Sequence, residues 1–259
     1  MFANTVELQP AWVLHTRPYR DTSLLVDCLT RDYGKVSMVV SDARGAVSKT
    51  GKPRRGRLLQ PFSQLLIGWS GKTDLKSLRQ LEQDRYFLLT GKHLYSGLYA
   101  NELLMRLLQP GETVTNLFDL YGRLIDGLYQ QESLEITLRV FEKHLLEMMG
   151  YGSPLSHDSD QGDDICDNRS YFYQQEVGFI PCSTVDSSDQ TPCFSGALLN
   201  AFSRNEISES MLPDLKRLTR MALAPLIGSK PLRSRELFQQ KARVNQPIKS
   251  VEGAVSDSY

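Results

Sequence analysis

From residue 10 to residue 81 the apolar positions come in short, β-rich runs, and the runs predict strands. Ala11–His15 is the first, followed by a turn at Arg17-Pro18-Tyr19. Ser23–Thr30 and Lys35–Val40 are joined by Arg31-Asp32-Tyr33-Gly34, a hairpin signal with glycine at the end of the loop. Leu65–Trp69 and Thr73–Leu81 follow, separated by Ser70-Gly71-Lys72. Five short strands in this space predict a small closed barrel. A five-stranded Greek-key barrel of the OB type is the usual solution at this size, and an SH3-like barrel would read similarly.

From Tyr86 the period changes to that of helices. Leu94, Leu98, Met105 and Leu108 line one face of Tyr86–Leu108, and Tyr95, Tyr99, Leu103, Leu104 and Leu107 widen it. Apolar residues nearly all round predict a central, buried helix, with Ser96-Gly97 as a point of close approach for another helix. Behind Thr115, a candidate N-cap, Leu117, Leu120, Tyr121, Leu124, Ile125 and Leu128 make a second apolar stripe. Ser133 caps a third, with Leu134, Leu138, Phe141, Leu145 and Met148 inward and Gly150 closing it. Residues 151–193 break the pattern with an acidic loop, a small hairpin of Tyr171–Gln174 and Glu176–Ile180, and a further loop. Helices resume at Ser195–Phe202, Met211–Ile227 and Ser234–Gln240. The expected organisation is α+β: a barrel over 1–82, a helical domain over 83–150 and 194–242, a small insert over 151–193, and a flexible tail over 243–259.

The chain has 259 residues, 41% of them hydrophobic, and its net charge is zero. That zero conceals an asymmetry. Residues 1–80 hold 13 Lys/Arg against 6 Asp/Glu, residues 151–210 hold 2 against 10, and residues 211–249 hold 9 against 2. Screening over about 10 Å makes local charge matter more than the total, so a polyanion meets basic ends. The densest stretch lies between the third and fourth strands, where Arg44, Lys49, Lys52, Arg54, Arg55 and Arg57 face one acid, Asp42. A connection of this length in a small barrel is either functional or disordered. Cations interspersed with glycine and proline stay solvated and mobile, which suits gripping a phosphate backbone with release of counterions.

Catalytic motifs find little support. Gly45 to Lys52 imitates a phosphate loop, but five residues separate its glycines and Pro53 stands where a Ser or Thr must hold Mg²⁺. Cys166, Cys182, Cys193 and His157 lack the close ligand pairs of a zinc site, and these cysteines read as small buried or half-buried thiols. Four scattered cysteines make no disulfide framework, and the N-terminus lacks the basic and apolar regions of a secretory signal. No run spans a bilayer. His15, His93 and His144 read as packing residues, and the acidic run Asp158–Asp167 lacks the spacing of a calcium loop. No cofactor or metal and no enzymatic activity are expected. Arg139 and Lys143, one turn apart on the third helix, read either as solvated surface beside Glu135, Glu142 and Glu147 or as the rim of a groove for an acidic peptide.

Five blocks in order carry a resemblance: WVLHTRPYRDTSLLVDCLTRDYGKVSMVVSDARG, LLQPFSQLL, LYSGLYANELLMRLL, LEMMGYG and GSKPLRSRELF. Together they resemble the RecO family of bacterial recombination and repair mediators, in its gammaproteobacterial form. The resemblance implies an N-terminal OB-fold barrel, an α-helical domain, and a zinc-ribbon-like insert that here lacks the zinc ligands. The scattered cysteines and the missing secretory signal point to the cytoplasm, with nucleoid association during repair, and the resemblance implies a protein that binds single- and double-stranded DNA and anneals complementary strands. It further implies partnership with RecR, docking of the acidic, Phe-ending tail of single-stranded-DNA-binding protein, and help in loading RecA. By position, Lys35, Arg44, Lys49, Lys52, Arg54, Arg55 and Arg57 would face DNA, and Arg139 and Lys143 would meet the tail. The competing reading is a protein–protein adaptor whose DNA binding is incidental. A second basic block, Lys216, Arg217, Arg220, Lys230, Arg233 and Arg235, is expected to meet DNA, RecR or the acidic insert.

Overall fold

Alternation of side chains across each strand sets where the first core forms. The computed structural model describes residues 5–44, 55–150, 162–175, 177–182 and 192–237. Within it, β1 (Thr5–Tyr19), β2 (Ser23–Thr30), β3 (Gly34–Val40), β4 (Ser63–Ser70) and β5 (Leu75–Tyr86) pair in the closed order β1-β2-β3-β5-β4. All neighbours are antiparallel except β3 and β5. Ala11, Val13, Val26, Cys28, Val36, Met38, Leu65 and Ile67 fill the interior at the spacing of two that the sequence displays. β1 is longer than expected. Its register shift between Val13 and His15 bends it, so that one strand pairs with β4 along Thr5–Trp12 and with β2 along Ala11–Tyr19. The expected turn at Arg17-Pro18-Tyr19 falls inside β1, and the chain reverses at Arg20, whose φ is +51°.

The outward residues of the barrel are not all solvated. Trp12, Leu14, Leu29 and Phe62 enter the helical core with α1 (Gly91–Leu107), α2 (Leu117–Tyr129) and α3 (Leu134–Met148). The Trp12 ring lies 5.6 Å from Phe87 and 5.5 Å from Tyr121. Asn101 Nδ2 donates to the Leu14 carbonyl at 2.7 Å, and the Tyr121 hydroxyl donates to Asn101 Oδ1. Gly97 is a point of close approach, but the visitor is a barrel residue. A Cβ there would stand 2.7 Å from the Phe62 ring. The first helix also begins later than its apolar run, because Tyr86 is still paired with Ser63 at the end of β5. The barrel therefore continues past residue 82.

The insert is a three-stranded sheet, ordered β7 (Gly178–Pro181), β6 (Ser170–Gln174), β8 (Cys193–Ser195). Tyr171, Phe179 and Phe194 carry its core onto α4 (Gly196–Ser203) and α5 (Leu212–Leu223). The loop expected to run through Cys193 instead ends in a strand. Cys182 and Cys193, read as free thiols, are joined in a disulfide. Among the described residues no helix is long and apolar enough to cross a membrane.

Candidate functional site

Two places gather the charged residues singled out in the sequence. The first is the end of the barrel where the β1–β2 turn meets the roots of the basic connection. Arg44 N donates to the Thr22 carbonyl at 2.9 Å, and Arg44 Nη1 reaches the carbonyls of Arg20 and Asp21 at 3.2 and 3.4 Å. Gly56 lies against Ala43 so closely that a Cβ would stand 2.3 Å from the Ala43 carbonyl oxygen. Glycine is thus the residue that lets the two roots of the connection touch. Thr16 Oγ1 donates to the Leu59 carbonyl at 2.8 Å and ties the returning chain to β1. Arg44, Arg55 and Arg57 are exposed, and exposed Arg20 stacks its guanidinium 5.2 Å from the Tyr19 ring centre. Arg20 was overlooked in the sequence, where the turn was placed just before it, at Arg17-Pro18-Tyr19. Lys49, Lys52 and Arg54, with the imitation phosphate loop, lie outside the described residues.

Lys35 does not belong to this platform. It is 8% exposed, and its Nζ donates to the Met105 carbonyl at 3.0 Å near the end of α1. The Lys35 carbonyl accepts from Gly111 N at 2.9 Å. Burial lowers its ammonium pKa, which the nearby Asp27 charge partly offsets. Lys35 joins barrel to helices and is not free to meet a phosphate.

The second place is a cavity of about 690 Å³ among α1, α3, α5 and the segment 233–237. Leu134, Leu138, Leu212 and Tyr99 give it apolar walls, and Lys92, Arg139, Lys216, Arg220 and Arg235 give it cations. Glu135 and Glu209 also line it, and Lys216 is paired with Glu135 at 3.0 Å. Arg139 is only 4% exposed, so the solvated-surface reading fails for it. Its Nη1 donates to Thr219 Oγ1 at 2.7 Å, and its Nη2 to Glu142 Oε1 at 3.0 Å. Glu142 is fully buried and also accepts from the Tyr99 hydroxyl at 2.7 Å. Burial first, then the Glu142 charge, pushes the Tyr99 phenol well above its usual range. Arg139 Nε and Ser96 Oγ remain buried without a hydrogen-bond partner among the described residues. Glu142 Oε2, 2.9 Å from Arg139 Nη1, is likewise buried without a hydrogen-bond partner, so the cluster beside the cavity holds both a spare donor and a spare acceptor where buried polar atoms are nearly always satisfied.

Lys143, expected beside Arg139 on that rim, is elsewhere. It is 4% exposed, and its Nζ donates to the carbonyls of Phe202 and Ser203 at 3.0 and 2.7 Å and to Asn205 Oδ1 at 2.8 Å. It caps the carboxyl end of α4, where a cation is favoured. Lys143→Met therefore removes the donor to the Ser203 carbonyl and Asn205 Oδ1, while the Phe202 carbonyl keeps the Asn205 N–H, and lowers stability by about 1–3 kcal/mol in a denaturant titration.

The second basic block is also divided. Arg217 pairs with Asp214 at 3.4 Å and lies 5.2 Å from the Phe194 ring centre, whereas Arg220 and Arg235 line the cavity. Of the histidines, His15 is exposed and 3.7 Å from Asp27, His93 lines the cavity, and His144 Nδ1 is 2.9 Å from Glu147. His157 lies outside the described residues.

Comparison with known proteins covers both places. Residues 5–87 match the family model described as Recombination protein O N terminal, and residues 88–236 the one described as Recombination protein O C terminal. A Cellvibrio japonicus protein named DNA repair protein RecO is 43% identical over 237 residues, which are 90% of this chain and 97% of the relative. A Proteus mirabilis protein of the same name is 43% identical over 246 residues, 94% of this chain and 96% of the relative. One from Coxiella burnetii is 41% identical over 235 residues, 90% of this chain and 98% of the relative. With matches running through the barrel, the helices and the insert, this chain belongs to the RecO family.

Proposed function

We propose that this protein is a non-catalytic mediator of DNA repair and homologous recombination. It holds single- and double-stranded DNA without reading sequence, anneals complementary strands, and acts with RecR to help load RecA onto strands coated by single-stranded-DNA-binding protein. The observation that carries the proposal is the convergence of Arg20, Arg44, Arg55 and Arg57 on one end of the barrel, where the basic connection is rooted. The strand order β1-β2-β3-β5-β4, with β3 and β5 parallel, supports the OB reading of that barrel. Cations on a surface grip phosphates and leave base edges free to pair, as annealing requires. Family membership supports the repair role.

The test is salt dependence. If several phosphates are neutralised, affinity for a random oligonucleotide falls by more than about tenfold between 50 and 200 mM salt. A smaller loss contradicts the proposal.

The cavity supports a second component of the reading. An acidic peptide with a terminal Phe offers carboxylates to Arg139 and a ring to the leucine walls, which fits the tail of single-stranded-DNA-binding protein. The adaptor reading rests on this cavity alone. Titrating such a peptide with and without DNA separates the two readings, since tight peptide binding beside negligible DNA binding favours the adaptor.

A further inference from the structure

Arg235 reaches the cavity from a segment that is held by a carboxylate on another helix. Glu102, on α1, accepts at Oε1 from Arg233 N at 3.0 Å, and at Oε2 from Ser234 N at 2.9 Å and Ser234 Oγ at 2.8 Å. It thereby satisfies the first amide donors of the helical turn 233–237, which a cap would otherwise take from its own chain. Arg106, one turn along α1, holds Glu102 at 2.7 Å and donates to the carbonyls of Ile227, Lys230 and Pro231. The pair grips the approach to the turn and its first residues together. Directly after the grip comes Arg235, which lines the cavity and whose charge bears on Tyr99. No hydrogen bond or ion pair fixes the Arg235 side chain among the described residues, so its place depends on where the backbone is held.

We propose that Glu102 is a positioning residue of the cavity: by capping the segment 233–237 it sets Arg235 across from Arg139, so that an anionic peptide is held by two guanidinium groups. The inference rests on the peptide reading of the cavity and goes beyond it, because Glu102 itself is not part of the lining. Burial alone would raise the Glu102 carboxyl, but the Ser234 and Arg233 hydrogen bonds and the Arg106 charge outweigh that and hold it below its ordinary value of 4.5. A carboxylate with a depressed folded value contributes above its unfolded value and fails only as pH falls through the folded one. The grip is therefore intact across the neutral range, and the effect of Glu102 on peptide affinity is flat from about pH 6 to 8.

The experiment is a double-mutant cycle on the full chain. The probe is a short synthetic oligo-aspartate peptide with a free C-terminal Phe, and a random oligonucleotide serves as the control ligand. Arg235→Ala weakens peptide binding about tenfold, the scale of one charge-assisted hydrogen bond. Glu102→Gln weakens it by a similar factor, yet in the Arg235→Ala background it costs less than about twofold, and oligonucleotide affinity is unchanged throughout. Unaltered peptide affinity in Glu102→Gln, or losses that simply multiply in the double variant, overturns the inference. Should Glu102→Gln fail to fold, Ser234→Ala removes one of the three bonds, and its smaller loss must vanish in the same background. Arg139→Lys separates the two levels: if it leaves peptide affinity untouched, the peptide reading of the cavity falls; if it alone weakens binding, only the role of Glu102 falls.

Discussion

Replacing Arg139 with alanine abolishes acidic-peptide binding and destabilises the helical domain by about 3–5 kcal/mol, the usual consequence of leaving one member of a buried ion pair alone. Glu142, fully buried, then keeps only the Tyr99 hydroxyl, and Thr219 loses its donor. Because such a loss could unfold the domain, Arg139→Lys is the cleaner measurement. Lysine keeps a charge at the position but gathers its donors on one nitrogen, so it cannot reproduce the spread of the guanidinium, whose Nη1 and Nη2 reach Thr219 and Glu142 while Nε stays unpartnered among the described residues. Peptide affinity then falls about tenfold or more by calorimetry while oligonucleotide affinity stays constant. Equal peptide affinity in wild type and Arg139→Lys would mean that the cavity does not receive the anion through this guanidinium.

The other large effect concerns the basic end of the barrel. Changing Arg44, Lys49, Lys52, Arg54, Arg55 and Arg57 together to alanine or serine removes as many as six phosphate contacts. Each contact contributes about 0.9 to the slope of log affinity against log salt on duplex DNA and about 0.7 on a single strand. The variant therefore binds oligonucleotides orders of magnitude more weakly at low salt, and its remaining binding keeps only a shallow salt dependence, on the order of the one contact that Arg20 can still make. Its thermal stability changes little, since the three described members are exposed and the hydrogen bonds of Arg44 go to turn carbonyls. Fluorescence anisotropy across a salt series reads both quantities at once. An unchanged slope would assign the phosphate contacts to other cations.

Legibility from sequence follows the range of the interactions involved. Strands β2, β3 and β4 and helices α2 and α3 were readable to within a few residues, because side-chain alternation and the apolar stripes are local. The buried stripe of α1 was only half so. The pattern centred the face on Leu94, Leu98, Met105 and Leu108 and put Tyr99, Leu103, Leu104 and Leu107 at its margin, whereas those four, with Ala100 and Leu108, are buried and Leu94, Leu98 and Met105 only flank them. A helix apolar nearly all round does not say which side meets the barrel. The start of α1 was misplaced because Tyr86 pairs with Ser63, a partner 23 residues earlier.

Charged positions illustrate the same limit. Lys35, Arg139 and Lys143 all read as surface cations, yet each is buried by a partner remote in sequence: Met105 for Lys35, Thr219 for Arg139, and the end of α4 for Lys143. Alternation correctly turns Lys35 away from the barrel interior, but it is silent about the helical domain waiting outside. Arg44, Arg55 and Arg57 were legible as a cluster because they are close along the chain. Arg20 joined them only through the fold. The disulfide between Cys182 and Cys193 depends on β7 and β8 flanking β6, and β8 offered only three residues of pattern.

Strand annealing tests the central claim most directly. Complementary oligonucleotides are mixed with wild-type protein or with the six-cation variant, and duplex formation is followed by energy transfer between end labels at low salt. Wild type accelerates pairing, and the variant should leave it at the protein-free rate. Pairing as fast with the variant as with wild type would contradict the account.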